Sequence, residues 1–368
     1  PEWKLWRQQG PRRLQGRRFP GWWRQFSWRG QAMTFLLAKR DRGIALIIVM
    51  IIVAALTVIV TGFAYSMRVE TKLARNTRFN PDMDWLGRSG VELARFLLSK
   101  RAPGEEQMDA LHQKWAGGPG RVGMDAMAEL EPWEQLPMTG VKLGNGMFSI
   151  KITDMERKLN INSAPEPLIR YILEMHGGVD ATDVDVFIDS LRDWMDPDEN
   201  PGLNGAESDI YLSESPPYYS KNGPLDHITE LKLVQGFREN PSLYSVFAKN
   251  FTAISGGLIN VNTASQQVLE LLPGMDPFIA GEIVMYRAGP DGAIGTEDDM
   301  PYRNPNQIGA VLEPLGMDPG SIQQFLATES ATFEVEVTAK IGPQQRKYIS
   351  LLRRLSPQDI RILYFHSE

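Results

Sequence analysis

The sequence predicts an α+β protein in which a long N-terminal helix packs on a small antiparallel sheet and a large, mainly helical domain is inserted into that sheet. Three observations predict this fold class. An uncharged apolar run covers residues 44–64. Strand-type alternation occurs at residues 147–153 and again at 332–354, around the turn residues Gly342 and Pro343. Between these strands, helical periodicity dominates.

The composition divides the chain into two oppositely charged parts. The 368 residues include 39 Lys and Arg against 45 Asp and Glu, for a formal net charge of −6. Residues 1–42 hold 11 of the basic residues and two acidic ones, so this segment is +9 and the remainder is −15. An acidic body argues against a nucleic-acid partner, since such proteins place positive charge on the working surface. The absence of cysteine excludes disulfides, thiolate metal ligands and thiol nucleophiles.

The apolar run has the length of a membrane span. Its 21 residues, at about 1.5 Å each, cover roughly 30 Å, the thickness of a bilayer's hydrocarbon core. Lys39, Arg40 and Arg42 precede it, and the positive-inside rule then places the N-terminus in the cytoplasm and the acidic bulk outside. Helical periodicity continues beyond the run, and we expect a restart with Asn80 at the N-cap and Pro81 at the first helical position.

The insert contains a sequence repeat. Residues 159–164 read Leu-Asn-Ile-Asn-Ser-Ala, and residues 259–264 read Ile-Asn-Val-Asn-Thr-Ala. Each copy precedes an apolar helical stretch, a glycine-containing turn and a second helix, predicted at 184–194 and 278–287. Ser163 and Thr263 are predicted helix N-caps. The residues that mark the two helix starts are Asn160, Asn162, Ser163, Asn260, Asn262 and Thr263.

The second copy resembles a helix-hairpin-helix, the element with which many DNA-binding proteins contact phosphates. Its turn, Gly274-Met275-Asp276-Pro277, departs from the expected pattern of two glycines whose N–H groups approach a phosphate. Asp276 adds negative charge there, and Pro277 has no N–H. We interpret the copies as a structural, helix-hairpin-helix-like (SAM-like) repeat. The alternative is a membrane-anchored helix-hairpin-helix DNA-binding protein of a competence-type system.

An acidic loop follows the second helix of each repeat. Carboxylates and amides on a flexible, glycine-rich loop are ligands that Ca²⁺ prefers. The candidate ligands in the first loop are Asp193, Asp196, Asp198, Asn200, Glu207 and Asp209, and those in the second are Asp291, Asp298 and Asp299. A solvated acidic loop is the alternative, equally weighted for the first loop and favoured for the second. Helical spacing of Asp185, Asp189, Asp193 and Asp196 also leaves open a membrane-anchored hydrolase.

The residues before the apolar run resemble the type IV prepilin class of leader, which a membrane prepilin peptidase cuts after a glycine. Here that cut would follow Gly43, and the mature chain would begin at Ile44. Most pilins carry Glu as the fifth mature residue, but this chain has Ile48. The Arg-Gly-Ile-Ala-Leu sequence at 42–46 and the acidic loop at 193–211 are similar to the minor pseudopilin K family of type II secretion.

This resemblance covers residues 40 to about 355 and implies a pilin-like body. The implied segments are a cytoplasmic leader (1–43), a transmembrane half-helix (44–64), the soluble half-helix with the first strands (65–154), the helical insert (155–328) and a C-terminal hairpin that completes the sheet (329–368). It also implies a non-enzymatic subunit at the tip of the secretion pseudopilus, anchored in the inner membrane with its bulk in the periplasm. Calcium binding in the insert and I- and J-type minor pseudopilins as partners are further implications.

Overall fold

The computed structural model describes residues 42–78, 80–101, 108–120 and 131–368. Most of the predicted leader lies outside these residues, and Gly43 and Ile44 lie in the first turn of the first helix. The chain separates into two compact units that divide between Lys72 and Leu73.

The regular elements follow the chain in a simple order. The helices are α1 (Arg42–Arg78), α2 (Asn80–Ser99), α3 (Glu166–Met175), α4 (Val184–Met195), α5 (Ser208–Tyr211), α6 (Pro241–Asn250), α7 (Gln266–Leu269), α8 (Pro277–Arg287), α9 (Gly309–Leu312) and α10 (Gly320–Gln323). The strands are β1 (Val141–Leu143), β2 (Gly146–Asp154), β3 (Leu159–Asn160), β4 (Phe251–Thr252), β5 (Ile259–Asn260), β6 (Leu326–Ala327), β7 (Thr332–Ile341), β8 (Gln344–Ser356) and β9 (Asp359–Ser367).

Helix α1 has the character of a membrane anchor. Its stretch Ile44–Lys72 has a mean hydropathy of 3.2, and none of its most apolar window is buried within the protein. In water such a helix would expose a continuous apolar surface, so lipid or another protein must cover it. Among the described residues it is the single helix that is long and apolar enough to cross a bilayer.

Helix α2 packs on one face of a five-stranded antiparallel sheet with the order β1-β2-β7-β8-β9. Two glycines, one helical turn apart in α2, allow the helix to approach the sheet closely. A Cβ added to Gly87 would lie 2.7 Å from the ring of Tyr348, and one added to Gly90 would lie 2.4 Å from Cγ1 of Val337. Apolar residues of α2 and of the sheet then form one buried core.

The predicted hairpin is confirmed as β7 and β8, but the C-terminal segment adds a third strand, β9, that the sequence prediction omitted. Its sequence has three apolar residues in a row, Ile362, Leu363 and Tyr364. A bulge accommodates them: Leu351 pairs with Tyr364 and Leu352 with Ile362, so Leu363 is an extra residue in the strand. The bulge removes the alternation by which a strand is found. Strand β1 was also omitted, since three residues are too few for a pattern.

The insert runs from the end of β2 to the start of β7 and has a core of its own. In each repeat, a short parallel strand pair joins the beginning of the repeat to its end. In the first, β3 pairs in parallel with β4, and in the second, β5 pairs in parallel with β6. The second helices, α4 and α8, lie where the sequence predicts them.

The N-cap prediction for Ser163 and Thr263 was wrong. Helices α3 and α7 begin at Glu166 and Gln266, two residues later than that prediction requires. The reason is a separate turn in each copy, where the N–H of the alanine donates to the carbonyl of Asn160 at 2.8 Å or of Asn260 at 2.9 Å. The repeated motif is therefore a turn that precedes the helix.

Buried polar groups join the insert to the sheet. The side-chain amide of Asn260 donates to the carbonyl of Asp109 at 2.9 Å, to Oγ of Ser330 at 2.8 Å and to Oδ2 of Asp154 at 3.3 Å. Arg354 forms a buried ion pair with Asp109, and it also donates to the carbonyl of Ser330 at 2.6 Å. Burial, together with the neighbouring Glu156, raises the pKa of Asp154 well above its ordinary value.

The packing of α2 makes a testable prediction about glycine. Gly90→Ala should lower the free energy of unfolding by about 1–3 kcal/mol, because the new methyl group overlaps Val337. Gly281→Ala in α8 is the matched control: its Cβ would meet no atom closer than 3.8 Å, so the change should stabilise the helix by up to about 1 kcal/mol. Thermal unfolding in detergent micelles measures both, and equal signs would contradict the packing argument.

Candidate functional site

The repeated asparagines position the two acidic loops. In the first repeat, Nδ2 and Oδ1 of Asn162 bond the carbonyl and the N–H of Leu225, both at 2.9 Å. In the second, Asn262 bonds Tyr302 in the same way, both at 2.8 Å. Each asparagine thereby fixes the backbone at the point where the chain returns from its acidic loop, so the loops occupy equivalent places in the two repeats.

Three aspartates of α4, spaced by one helical turn, have structural partners. Asp185 pairs with Arg170 at 2.8 Å. Oδ2 of Asp189 accepts the N–H of Asn204 at 3.1 Å, and Oδ2 of Asp193 accepts the N–H of Gly202 at 2.9 Å. The last two bonds draw the acidic loop onto the helix. The structure therefore uses these residues, which suggested a hydrolase in the sequence, to fold the loop.

Asp193 lies directly beneath the loop. A Cβ added to Gly205 would lie 1.9 Å from its Oδ2, so only glycine fits where the loop backbone crosses the carboxylate. Asp193 is buried, and this burial raises its pKa. The bond from Gly202 opposes the rise, while the charges of Asp196 and Asp189 add to it. The loop thus gathers negative charge at its base.

A carboxylate triple forms above this base. Asp196, Asp198 and Glu207 each offer a ligand oxygen, and these oxygens lie within 4.8 Å of one another. Two oxygens on opposite sides of one Ca²⁺ are about 5 Å apart, since Ca–O distances are about 2.3–2.6 Å. The spacing therefore fits a shared calcium ion. Asn200 supports the triple, because its side-chain amide donates to Oδ1 of Asp198 at 2.8 Å.

Glu207 is the most informative member of the triple. The residue is only 1% exposed, and neither carboxylate oxygen accepts a hydrogen bond of normal geometry from the part of the chain that the structure describes. Burial raises its pKa; the nearby Ser220 hydroxyl opposes the rise, and the charges of Asp193, Glu199 and Asp196 reinforce it. A buried carboxylate without donors is costly unless a cation or a proton neutralises it. One of its oxygens lies within 4.8 Å of an oxygen of Asp196 and of an oxygen of Asp198.

Glu199 fastens the far side of the loop. Its Oε1 accepts the amide of Asn222 at 2.8 Å and the hydroxyl of Ser208 at 3.1 Å, and these bonds lower the pKa of Glu199. The sequence did not single out this residue, because Glu199 lies within an acidic run. Its partner Asn222 is 23 residues further along the chain, too far for a local pattern to link the two. Asp209, which was a candidate ligand, lies exposed on the first turn of α5, outside the triple.

The second loop uses its carboxylates differently. Oδ2 of Asp298 accepts the N–H of Asp291 at 2.9 Å, and Oδ2 of Asp299 accepts the N–H of Gly295 at 2.9 Å. The Thr296 hydroxyl, with the Asp291 N–H, lowers the pKa of Asp298. Within the described ranges, this loop brings together no triple of carboxylates like that of the first loop. Backbone N–H groups of the loop thus bond carboxylate oxygens that were candidate calcium ligands.

The turn that suggested DNA binding is occupied by the protein itself. Oδ1 of Asp276 accepts the N–H of Ile279 at 2.7 Å and caps α8, whose first residue is Pro277. A phosphate at this helix start would meet that carboxylate. Gly274 has a φ of 78° and forms the bend before the cap. The turn therefore serves the helix start, with a carboxylate where a phosphate would bind.

Comparison with known proteins gives a consistent result. Residues 159–255 match the family described as "Type II secretion system (T2SS), protein K". Type II secretion system protein K of Pseudomonas aeruginosa is 26% identical over 337 residues, covering 89% of this chain and 93% of that protein. The Klebsiella pneumoniae protein of the same name is 26% identical over 253 residues, covering 65% of this chain and 71% of that protein.

The predicted resemblance to the protein K family is confirmed. The matched range contains the whole first repeat, including the carboxylate triple. A solved structure, the GspK-GspI-GspJ complex from enterotoxigenic Escherichia coli, contains a chain with the same fold. It aligns with a TM-score of 0.60 and 20% identity over 80% of this chain and 99% of that chain.

The burial of Glu207 makes a prediction for the protein without divalent cations. In EDTA at neutral pH, Glu207→Gln should raise the free energy of unfolding by about 1 kcal/mol or more, because the amide removes a buried charge that lacks donors. The sign follows from the raised pKa, which means that the folded chain disfavours the ionised form. Asp209→Asn, an exposed change in the same loop, should have little effect. A destabilised Glu207→Gln variant in EDTA would contradict this interpretation.

Proposed function

We propose that this chain is a minor pseudopilin of type II protein secretion, a structural subunit that assembles with I- and J-type minor pseudopilins. The observation that carries the proposal is the combination of an apolar N-terminal helix, a helix-on-sheet body and an insert that matches protein K. The related solved structure is itself a complex of GspK with GspI and GspJ. In this role the prepilin peptidase removes the leader after Gly43, and the anchored chain extends into the periplasm from the inner membrane.

Two features support a place at the tip of the filament, where the subunit would initiate assembly and aid export of folded proteins across the outer membrane. Ile48 replaces the buried Glu that would need a partner in a neighbouring subunit. The insert joins the body at the C-terminal end of α2, where Arg354 contacts the carbonyl of Leu98. An insert at that end of the body would obstruct a further subunit stacked upon it.

The first acidic loop supports a structural calcium ion in this role. Asp196, Asp198 and Glu207 would hold the ion, and Asn200 would orient Asp198. Neutralising the triple would remove the cost of the buried Glu207 carboxylate and fix the loop against α4. The ligands come together in the folded chain and not in the unfolded chain. Binding of the ion would therefore add to the stability of the fold. The second loop, with its carboxylates bonded to the backbone, gives weaker support for an ion.

Assembly and processing test the secretion role together. The full chain should be co-expressed with prepilin peptidase and with the I- and J-type minor pseudopilins of one bacterium. We expect a detergent-extracted complex of all three subunits, in which mass spectrometry finds this chain beginning at Ile44. Gly43→Leu should leave the leader uncut. An intact leader in the unaltered chain, cleavage after Ala64, or purification without either partner would contradict the proposal.

Calcium dependence tests the metal site separately. Calcium at one hundred times its dissociation constant should stabilise the fold by about 2.7 kcal/mol relative to EDTA. The double change of Asp196 and Asp198 to Ala should abolish this effect, whereas Asp291→Ala should preserve it. Glu207→Gln should stabilise the protein in EDTA yet destabilise it, relative to the unaltered chain, in calcium. A melting temperature that is the same with and without calcium would remove the metal proposal.

A further inference from the structure

The two edges of the sheet differ greatly in length. One edge is β1, which has three residues, and the other is β9, which has nine. Long edge strands present unpaired backbone groups, and soluble proteins usually shorten, charge or cover them. On β9, three consecutive apolar side chains are 37–48% exposed: Ile362, Leu363 and Tyr364. Such an edge is a template on which a further strand can pair.

The two halves of β9 differ in how regularly they pair with β8. Nε of Arg95 donates to the carbonyl of Ile360 at 3.1 Å, and the bulge disturbs the strand at Leu363. From Tyr364 to Ser367 the pairing with β8 is regular, residue by residue. The backbone groups that face away from β8 in this half are therefore spaced as an ordinary ladder. None of the described strands pairs with that side.

Positive charge lies uncompensated next to this edge. Arg353 of β8 is directly opposite Arg361 of β9, on the face away from α2. Like charges at such positions destabilise a strand pair. Asp359 pairs with Arg361 at 2.9 Å, but the exposed side chain of Arg353 has no hydrogen bond or ion pair with any residue that the structure describes. Of the two facing arginines, Arg353 therefore has no carboxylate partner within the described residues.

A cleft of about 220 Å³ opens beside the same strand, between the sheet and the first repeat. Leu351 and Tyr364 form its wall on the sheet side. On the opposite side lie Lys158 and Arg157, and Arg157 is half-buried without a hydrogen bond to a described residue. Burial lowers the pKa of Lys158, and the positive charge of Arg157 lowers it further. The negative charge of Glu334 partly offsets this decrease.

The acidic residues of the cleft do not neutralise this site fully. Asp226 is bonded to Lys221 at 2.7 Å and is turned toward solvent, 89% exposed. Two carboxylates lie on the sheet wall: Asp154, which accepts hydrogen bonds from Asn260 and Ser330, and Glu334, opposite Leu351 in the strand register. The cations nearby are Arg157, Lys158 and, on the neighbouring strand pair, Arg353. The side chains of Arg157 and Arg353 have no partner among the described residues, so they leave positive charge beside β9 on a body whose overall charge is negative.

We propose that the edge of β9 and the adjoining cleft dock an extended, acidic segment of a partner protein. The segment pairs with the backbone of residues 364–367 as a sixth strand, which supplies affinity. Its carboxylates compensate Arg353 and Arg361, and one of its side chains enters the cleft against Leu351, which supplies selectivity. The proposal holds whether or not the chain acts in secretion, because it depends only on this edge.

Model peptides test the proposal directly. The full chain in a nonionic detergent should be titrated with a labelled seven-residue peptide that alternates Glu and Val. The controls are a Lys-Val peptide of the same length and the Glu-Val peptide with a central Pro. We expect the acidic peptide to bind at least about tenfold more tightly than either control, since tenfold corresponds to one well-placed charge or backbone contact. Amide hydrogen exchange should show new protection at residues 364–367.

Two sets of variants locate the site. The double change Arg353→Glu and Arg361→Glu should weaken binding of the acidic peptide by about tenfold or more, whereas Arg353→Lys with Arg361→Lys should keep most of it. Leu363→Lys, the kind of residue that protects natural edges, should also weaken binding. Circular dichroism spectra that match the unaltered chain would show that these variants fold.

Several results would overturn the proposal. Equal binding of the acidic and basic peptides would remove the charge argument. The proposed location would be wrong if the double Glu variant bound the acidic peptide as tightly as the unaltered chain. It would also be wrong if the new protection from hydrogen exchange appeared away from β9. Sedimentation that shows a dimer of this chain, lost in Leu363→Lys, would identify a second copy as the occupant instead of an acidic partner segment.

Discussion

The structure depends on a buried polar junction that fixes a helical insert onto a sheet. Asn260 is completely buried, and its amide meets groups from three separate stretches of the chain, at Asp109, Asp154 and Ser330. An unpaired buried donor is costly in a low-dielectric interior, so the bonds of the Asn260 amide favour the one arrangement of insert and body that supplies these acceptors. The ion pair of Arg354 with Asp109 extends the same constraint to the end of α2.

The two copies of the repeat have different structural roles. In the second copy Asn260 is committed to the junction, and the buried guanidinium of Arg287 holds the carbonyls of Val261 and Ala264. Burial lowers the pKa of Arg287 to about 10. In the first copy the amide of Asn160 donates within its own repeat, to the carbonyl of Ser255. The same turn thus anchors the insert in one copy and leaves the other free to build its loop around a carboxylate triple.

Sequence patterns predicted those parts of the fold in which one period dominates. Helix α4 and the hairpin of β7 and β8 have such a period, whereas the apolar helix α1 was predicted from the length of its uncharged run and α8 from its place in the second repeat. Strand β9 has no such period, because its bulge breaks the alternation at Leu363. Composition could place carboxylates in both loops. It could not show that Asp298 and Asp299 bond the backbone of their own loop while the Glu207 oxygens accept no hydrogen bond of normal geometry from a described residue. Hydrogen-bond geometry decides that difference, and it is set by the fold around each loop.

Net charge acquires a different meaning once the charges are located. The strongly acidic body contains a loop where negative charge is concentrated beyond what its own donors satisfy, at Glu207, and an edge where positive charge is left over, at Arg353. Folding alone would favour neither arrangement, since a buried carboxylate without donors and facing arginines both oppose it. Each becomes favourable when a ligand of opposite charge is present. The sites at which the fold is least satisfied are therefore the sites at which binding would gain the most free energy.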